Sequence, residues 1–164
     1  MKKSLIGALR KKGIVKYGTF TLKSGIISSY YCDIKQALGY PELLSEMVKE
    51  LIKLLPSKTT CVAGSGYGGI TLASLVSYKM KLPLILVRDK IKDHGTKKVI
   101  DGYVPTKKDF VCIIDDVFTT GSSIAHTKER LIPFRVKFVK PVVVLNRSKS
   151  KTIFNILSDK DLSP

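Results

Sequence analysis

The sequence predicts an α/β fold, a central and mostly parallel sheet flanked by helices, in a single domain spanning residues 1–164. Three observations predict it. Short apolar runs at 60–63, 84–87, 110–114 and 142–145 alternate with helix-like stretches, and strands buried on both faces read as unbroken apolar runs. A chain of 164 residues is long enough for one well-buried core and too short for two ordinary domains. Three of the runs lead into segments rich in Gly, Asp, Thr or Lys, and parallel sheets bind ligands at the carboxyl ends of their strands.

The elements follow in order. Ser4 is placed to cap a first helix carrying Leu5, Ile6 and Leu9, and Gly13 is a natural stop. Across residues 14–35, Phe20, Leu22, Tyr30, Tyr31 and Ile34 surround the polar break Lys23-Ser24-Gly25, which reads as two strands and a turn. Pro41 suits a first helical turn, Leu44, Met47, Val48, Leu51, Ile52 and Leu55 build one apolar face, and Pro56 ends it. A Gly-rich loop then precedes a helix over 70–78, a long polar loop follows the run at 84–87, and a helix over 122–131 follows the run at 110–114. The Lys-rich tail after Arg147 is weakly periodic and reads as an edge element.

Composition narrows the function. With 44% apolar and 26% charged residues the chain is a folded globular one. Its 29 Lys and Arg against 13 Asp and Glu give +16, which favours anionic ligands such as phosphates. The lysines are scattered and not interleaved with stacking aromatics, so nucleic acid is not the expected partner. Cys32, Cys61 and Cys112 lack zinc-site spacing, their odd number cannot complete a disulfide set, and two of them lie in apolar runs. Arg10 interrupts the N-terminal apolar stretch too early for a signal peptide, and no run approaches a membrane span, so the expected place is the cytoplasm, with no membrane partner.

The chemistry concentrates in three segments. Asp115-Asp116 follow the strand end Ile113-Ile114, where two carboxylates can accept hydrogen bonds from vicinal hydroxyls. Thr119-Thr120-Gly121-Ser122-Ser123 then opens a helix, offering hydroxyls and free N–H groups at the positive end of its dipole. A diol reader followed by a phosphate reader fits one ribose 5-phosphate. Upstream, Gly64-Ser65-Gly66-Tyr67-Gly68 lets backbone approach an anion closely. The polar stretch from Arg88 through Lys90, Lys92, His94 and Gly95 to Lys98 reads as a lid able to close cations over a leaving anion and exclude water.

The string Val111 to Ser123, VCIIDDVFTTGSS, resembles the PRPP motif of type I phosphoribosyltransferases: an apolar strand, two acidic residues, a hydrophobic residue (Val117) and T-T-G-x-S. The resemblance implies the fold of that family, Asp115 and Asp116 on the ribose hydroxyls, 119–123 on the 5-phosphate, and the Gly64 to Gly68 segment on pyrophosphate. The Arg88 stretch resembles the catalytic loop of orotate phosphoribosyltransferases, matching at Arg88, Lys92, His94 and Gly95, with Asp89-Lys90 in inverted order. It implies catalytic roles for Lys92 and His94 beside Asp115 and Asp116, PRPP contacts from Arg88 and Lys90, and a homodimer whose loops serve each other's sites. Phe20-Thr21-Leu22-Lys23-Ser24-Gly25 with Ser28-Ser29-Tyr30-Tyr31 is similar to the family's hood, which implies that Lys23, Tyr30 and Tyr31 lie at the base. Arg147, whose planar fork suits a carboxylate, falls where the family binds orotate together with Thr119; the usual preceding Asp is Asn146 here, removing a negative partner.

The implied reaction is transfer of ribose 5-phosphate from PRPP to orotate, giving orotidine 5-phosphate and pyrophosphate in the de novo route to UMP, with Mg²⁺ held mainly by PRPP and water and no direct protein ligand. Two alternatives stay open at this point: a phosphoribosyltransferase for another base, and a non-catalytic PRPP sensor that binds nucleic acid.

Overall fold

The computed structural model describes residues 2–21, 25, 27–89 and 98–163. Helix α1 (Lys2–Lys11) begins before Ser4, which therefore sits inside the first turn instead of capping it; Leu5 and Leu9, one turn apart, are fully buried. The hood is the antiparallel pair β1 (Val15–Thr21) and β2 (Ile27–Cys32), with Val15 opposite Cys32 and Tyr17 opposite Tyr30. A short helix α2 (Ile34–Ala37) follows, its N-terminus held by the Asp33 side chain accepting from Lys35 N. Helix α3 (Pro41–Leu54) starts at its proline as the sequence indicates and buries Leu43, Met47, Val48 and Leu51.

The central sheet comprises β3 (Cys61–Ser65), β4 (Leu84–Val87), β5 (Ile100–Gly102), β6 (Phe110–Phe118), β8 (Val142–Asn146) and β9 (Phe154–Ser158), in the order β5-β4-β3-β6-β8-β9, with the two-residue β7 (Lys137–Phe138) also paired to β6. All pairings are parallel except β4 with β5. Helix α4 (Gly66–Met80) joins β3 to β4, and α5 (Ser122–Leu131) with a 3-10 turn (Ile132–Phe134) follows β6. One core cluster unites α1, α3 and α4 with one sheet face, including Leu72, Ile114 and Val144; the other packs Ile124 and Leu131 of α5 on Ile85, Ile113 and Val143. The expected α/β class is thus realised, with helices on both faces.

Two boundaries differ from the sequence reading in ways that matter. β6 runs through Asp115, Asp116 and Val117 to Phe118, so the acidic pair lies within the strand. Pairing with β8 as far as Phe118↔Asn146 sustains it. The expected Gly-rich loop is absent: α4 begins at Gly66 directly after β3. A side chain at Gly64 would lie 2.5 Å from Gly69 O, and one at Gly69 would lie 3.0 Å from Ile114 O. Those glycines let the helix rest on the sheet, so tertiary packing outweighs their poor helix propensity.

The tail supplies β9 at the sheet edge, as expected, and a final helix α6 (Asp159–Leu162). β8 and β9 are parallel yet joined only by residues 147–153, where parallel strands ordinarily need a dozen or more residues. Asn146 organises this return: Ser148 N and Oγ donate to its Oδ1 at 2.9 Å each, and its Nδ2 donates to Ser150 O at 3.0 Å. No helix among the described residues is long and apolar enough to cross a membrane. The three cysteines are free and buried, and burial pushes the Cys32 and Cys112 thiols up to about 12 and that of Cys61 to about 11.

Candidate active site

The carboxyl ends of β3, β6 and β8 meet at one edge of the sheet, and several of the residues singled out by sequence gather there. Asp115 and Asp116 are 6% and 5% exposed. Asp115 Oδ1 accepts from Asp116 N at 2.9 Å. Burial raises the Asp115 carboxyl to about 7, a Ser123 hydrogen bond opposes the rise, and the neighbouring Asp116 adds to it. Lys35, reaching over from α2, forms a 2.8 Å ion pair with Asp116 Oδ2, and this contact is the main cause of its raised pKa.

After β6 the chain turns through Thr119 and Thr120 to Gly121, whose φ of +83° and contact with the Phe118 ring exclude a side chain. Thr120 Oγ1 accepts from Ser122 N at 3.4 Å and donates to Ser122 Oγ at 3.2 Å. A cavity of about 30 Å³ lies between Asp115, Val117, Thr119, Gly121, Ser122 and Ser123. The N-terminus of α5, with no side-chain cap from Gly121, opens beside it. An uncapped helix N-terminus next to a carboxyl pair is an arrangement that can receive an anion.

The second anion segment is stitched to the first. Ser65 Oγ lies 2.8 Å from Thr127 Oγ1 and 3.5 Å from Ser123 Oγ, and Thr127 in turn donates to Ser123 O at 3.0 Å. Gly66, with φ +62°, turns β3 into α4, and its Cβ direction is open space. Gly68 faces inward instead: a Cβ there would stand 2.5 Å from Asp116 Cγ. The first turn of α4 thus presents backbone at its open side and braces a carboxylate at its closed side.

Arg147 stands immediately after β8. Its N donates to Phe118 O at 2.8 Å, which fixes it beside the Thr119 turn. Its guanidinium lies over the Tyr30 ring at 4.7 Å, donates from Nη2 to Ser28 Oγ at 3.3 Å, and pairs through Nε with Asp159 Oδ1 at 3.4 Å. Hood and sheet therefore meet at this arginine.

The family described as the phosphoribosyl transferase domain matches residues 34–155. The orotate phosphoribosyltransferase of Pyrococcus horikoshii is 36% identical over 152 residues, which cover 91% of this chain and 81% of that protein. This chain belongs to the orotate phosphoribosyltransferase family. Among solved structures, the orotate phosphoribosyltransferase of Aeropyrum pernix superposes with a TM-score of 0.79 at 26% identity, covering 96% of this chain and 95% of that one. Leishmania donovani UMP synthase gives 0.79 at 30% identity and covers 97% of this chain, which corresponds to 36% of that longer one.

Against the orotate phosphoribosyltransferase pattern, the structure brings together Asp115, Asp116, the 119–123 turn, Ser65 to Gly68, Tyr30 and Arg147. It separates the tyrosine pair. Alternation along β2 puts Tyr30 inward at 2% exposure, under Arg147, while Tyr31 is 42% exposed with its ring 5.8 Å from that of Phe20. Arg88, at the stem of the long polar segment, is tied to Asp101 at 2.6 Å, and its N donates to Val99 O at 3.0 Å. Lys23, Lys90, Lys92 and His94 lie outside the described residues. Sequence reasoning missed Lys35, Thr127 and Asp159. The negative partner of Arg147, missing when Asn146 replaces Asp, is supplied by Asp159. No group of three or more His, Cys, Asp or Glu side chains converges among the described residues.

Proposed function

We propose that this chain transfers ribose 5-phosphate from PRPP to N1 of orotate, giving orotidine 5-phosphate and pyrophosphate in pyrimidine synthesis. The observation that carries the reading is the backbone bond from Arg147 N to Phe118 O. It supports the reading by holding Arg147 at the rim of the Thr119 to Ser123 turn, where a guanidinium suits an acceptor carboxylate.

Asp115 and Asp116 accept the ribose hydroxyls, and the α5 N-terminus with Ser122 and Ser123 holds the 5-phosphate. Lys35 holds Asp116 in place for the diol. The β3–α4 junction receives the pyrophosphate end. Arg147 takes the orotate carboxylate and aims N1 at C1 of the ribose; as the new C–N bond forms, N1 gives up its proton to water or to the departing diphosphate, the C1–O bond breaks and pyrophosphate leaves with the electron pair. Positive charge growing on the ribosyl group is met by the buried carboxylates, and Lys92 and His94 of the lid neutralise the departing anion. Mg²⁺ belongs to this reading, carried chiefly on PRPP oxygens and water; the hard oxygens of Asp115 and Asp116 suit its neighbourhood, and the ion would supply charge neutralisation on the diphosphate. The reading also includes a cytoplasmic homodimer with Arg88, Lys90 and Lys92 reaching the neighbouring site, supported by the likeness of the loop sequence to that of the family.

Purified protein given PRPP and Mg²⁺ with orotate, uracil, adenine or hypoxanthine tests it. Pyrophosphate release with orotate alone is expected. Turnover of another base without orotate would overturn the assignment.

A further inference from the structure

We propose that Asp159 is a positioning residue for Arg147, and that the C-terminal segment thereby sets the preference for an acceptor base bearing a carboxylate. The proposal rests on the reading of Arg147 as the acceptor's partner. The register of the sheet places the pair: Asn146 of β8 faces Ser158 of β9, so the next residues, Arg147 and Asp159, emerge side by side at the strand ends. Asp159 is itself held in place, since it opens α6 behind a capping box in which Ser158 N and Oγ both donate to Asp161 Oδ2, at 2.7 and 2.5 Å. Leu162 anchors that helix in the core.

The contacts divide the guanidinium in a useful way. Asp159 Oδ1 takes Nε, Ser28 Oγ takes one proton of Nη2, and the Tyr30 ring covers one face at 4.7 Å. Two of the five N–H donors are engaged, and the two Nη atoms keep the donors needed to grip a planar carboxylate in a bidentate manner. Tyr30 contributes twice, because its hydroxyl also donates to Asp159 Oδ1. Burial and that hydrogen bond hold the hydroxyl well above its ordinary pKa, so it remains a donor. An arginine with only 12% of its side chain exposed but no fixed edge would reorient with each base. With Asp159 present, the orientation is set before the acceptor arrives, which lowers the ordering cost of binding.

The test compares Asp159→Ala, Asp159→Asn and Tyr30→Phe with the unaltered full chain in steady-state kinetics, varying orotate and PRPP separately. Loss of one charge-assisted contact predicts that Asp159→Ala raises KM for orotate about tenfold while KM for PRPP and kcat at saturating orotate change by less than about twofold. Asp159→Asn follows in the same direction, and Tyr30→Phe gives a smaller rise that adds nothing in combination with Asp159→Ala. An unchanged orotate KM in both Asp159 variants, while Arg147→Ala still raises it, would overturn the positioning role and leave the functional reading intact. Equal rises in both KM values would overturn it too, marking Asp159 as a mere structural counter-ion. Absence of orotate turnover in the unaltered protein is a different result, and overturns the functional reading itself.

Discussion

A single methyl group at position 68 reaches the acidic pair at the end of β6. In Gly68→Ala the new Cβ would lie 2.5 Å from Asp116 Cγ, 2.6 Å from its Oδ2 and 2.9 Å from its Cβ. Gly68 is a helical residue without a left-handed φ, so alanine brings no backbone strain and gains up to ~1 kcal/mol of helix propensity. The penalty is steric. Carbon atoms pack at about 3.5–4.0 Å, so Asp116 or the first turn of α4 must move by roughly 1 Å. The turn is pinned by Gly69 against Ile114 O and by Gly64 against the helix backbone, which leaves the carboxylate to yield. A displacement of about 1 Å in a group that positions substrate costs on the order of 10²-fold in rate. Overpacking of a close-packed site costs about 1–3 kcal/mol in stability, less the propensity gain. Initial rates at varied PRPP, with urea unfolding in parallel, measure both. We expect kcat/KM for PRPP to fall about 10²-fold while the protein stays folded. A folded variant within about threefold of the unaltered protein would refute the idea that the glycine braces Asp116.

Other outcomes follow from the same geometry. Lys35→Met removes the cation 2.8 Å from Asp116 and is expected to raise KM for PRPP several-fold, on the order of one charge-assisted hydrogen bond, with Lys35→Arg restoring most of it. Burial raises the Asp115 carboxyl to about 7 in the folded chain, against an ordinary carboxyl value of 3.8 in the unfolded one. The native state therefore binds more protons in that window, and in the absence of substrate stability conferred by this group declines as pH rises from about 4 to 7. The urea midpoint should follow that slope, and Asp115→Asn should flatten it. The buried thiols of Cys32, Cys61 and Cys112 should resist a disulfide reagent until the chain unfolds, since both access and thiolate are suppressed; stoichiometric labelling of native protein would contradict this. Mixing Lys92→Ala with Asp116→Ala protein should restore part of the activity if the loops serve neighbouring sites, and verified mixed dimers without activity would exclude sharing.

Most of the fold was legible because its signals are local. The helix over Ser122–Leu131 and the strand beginning at Val142 have the predicted limits. The start of α4 was misread because Gly64, Gly68 and Gly69 carry two messages: local propensity reads them as a loop, while close packing of helix on strand requires them inside regular structure. The end of β6 was misread because polar aspartates in a strand look like its exit, yet pairing with β8 continues past them. β5, with three residues and an antiparallel pairing, carries too short a pattern to detect. The donor site was legible since its parts sit within one contiguous string. Lys35, Thr127 and Asp159 were not, because each reaches its partner through sheet register or hood packing, and no spacing along the chain encodes such approaches. Asn146 illustrates the cost of local reading: its side chain folds the return to β9, and the charge it lacks comes from the next element.

The direct passage from β8 to β9 also has a temporal side. The described residues around the acidic pair, from Lys35 to Thr127, all leave the ribosome before Asp159 does. The hood strand bearing Tyr30 emerges early, but the carboxylate that receives its hydroxyl belongs to α6. The contact that fixes the edge of Arg147 therefore cannot form until the residues around the acidic pair have all been made. Chain order alone makes that edge the last part of the candidate site to be completed.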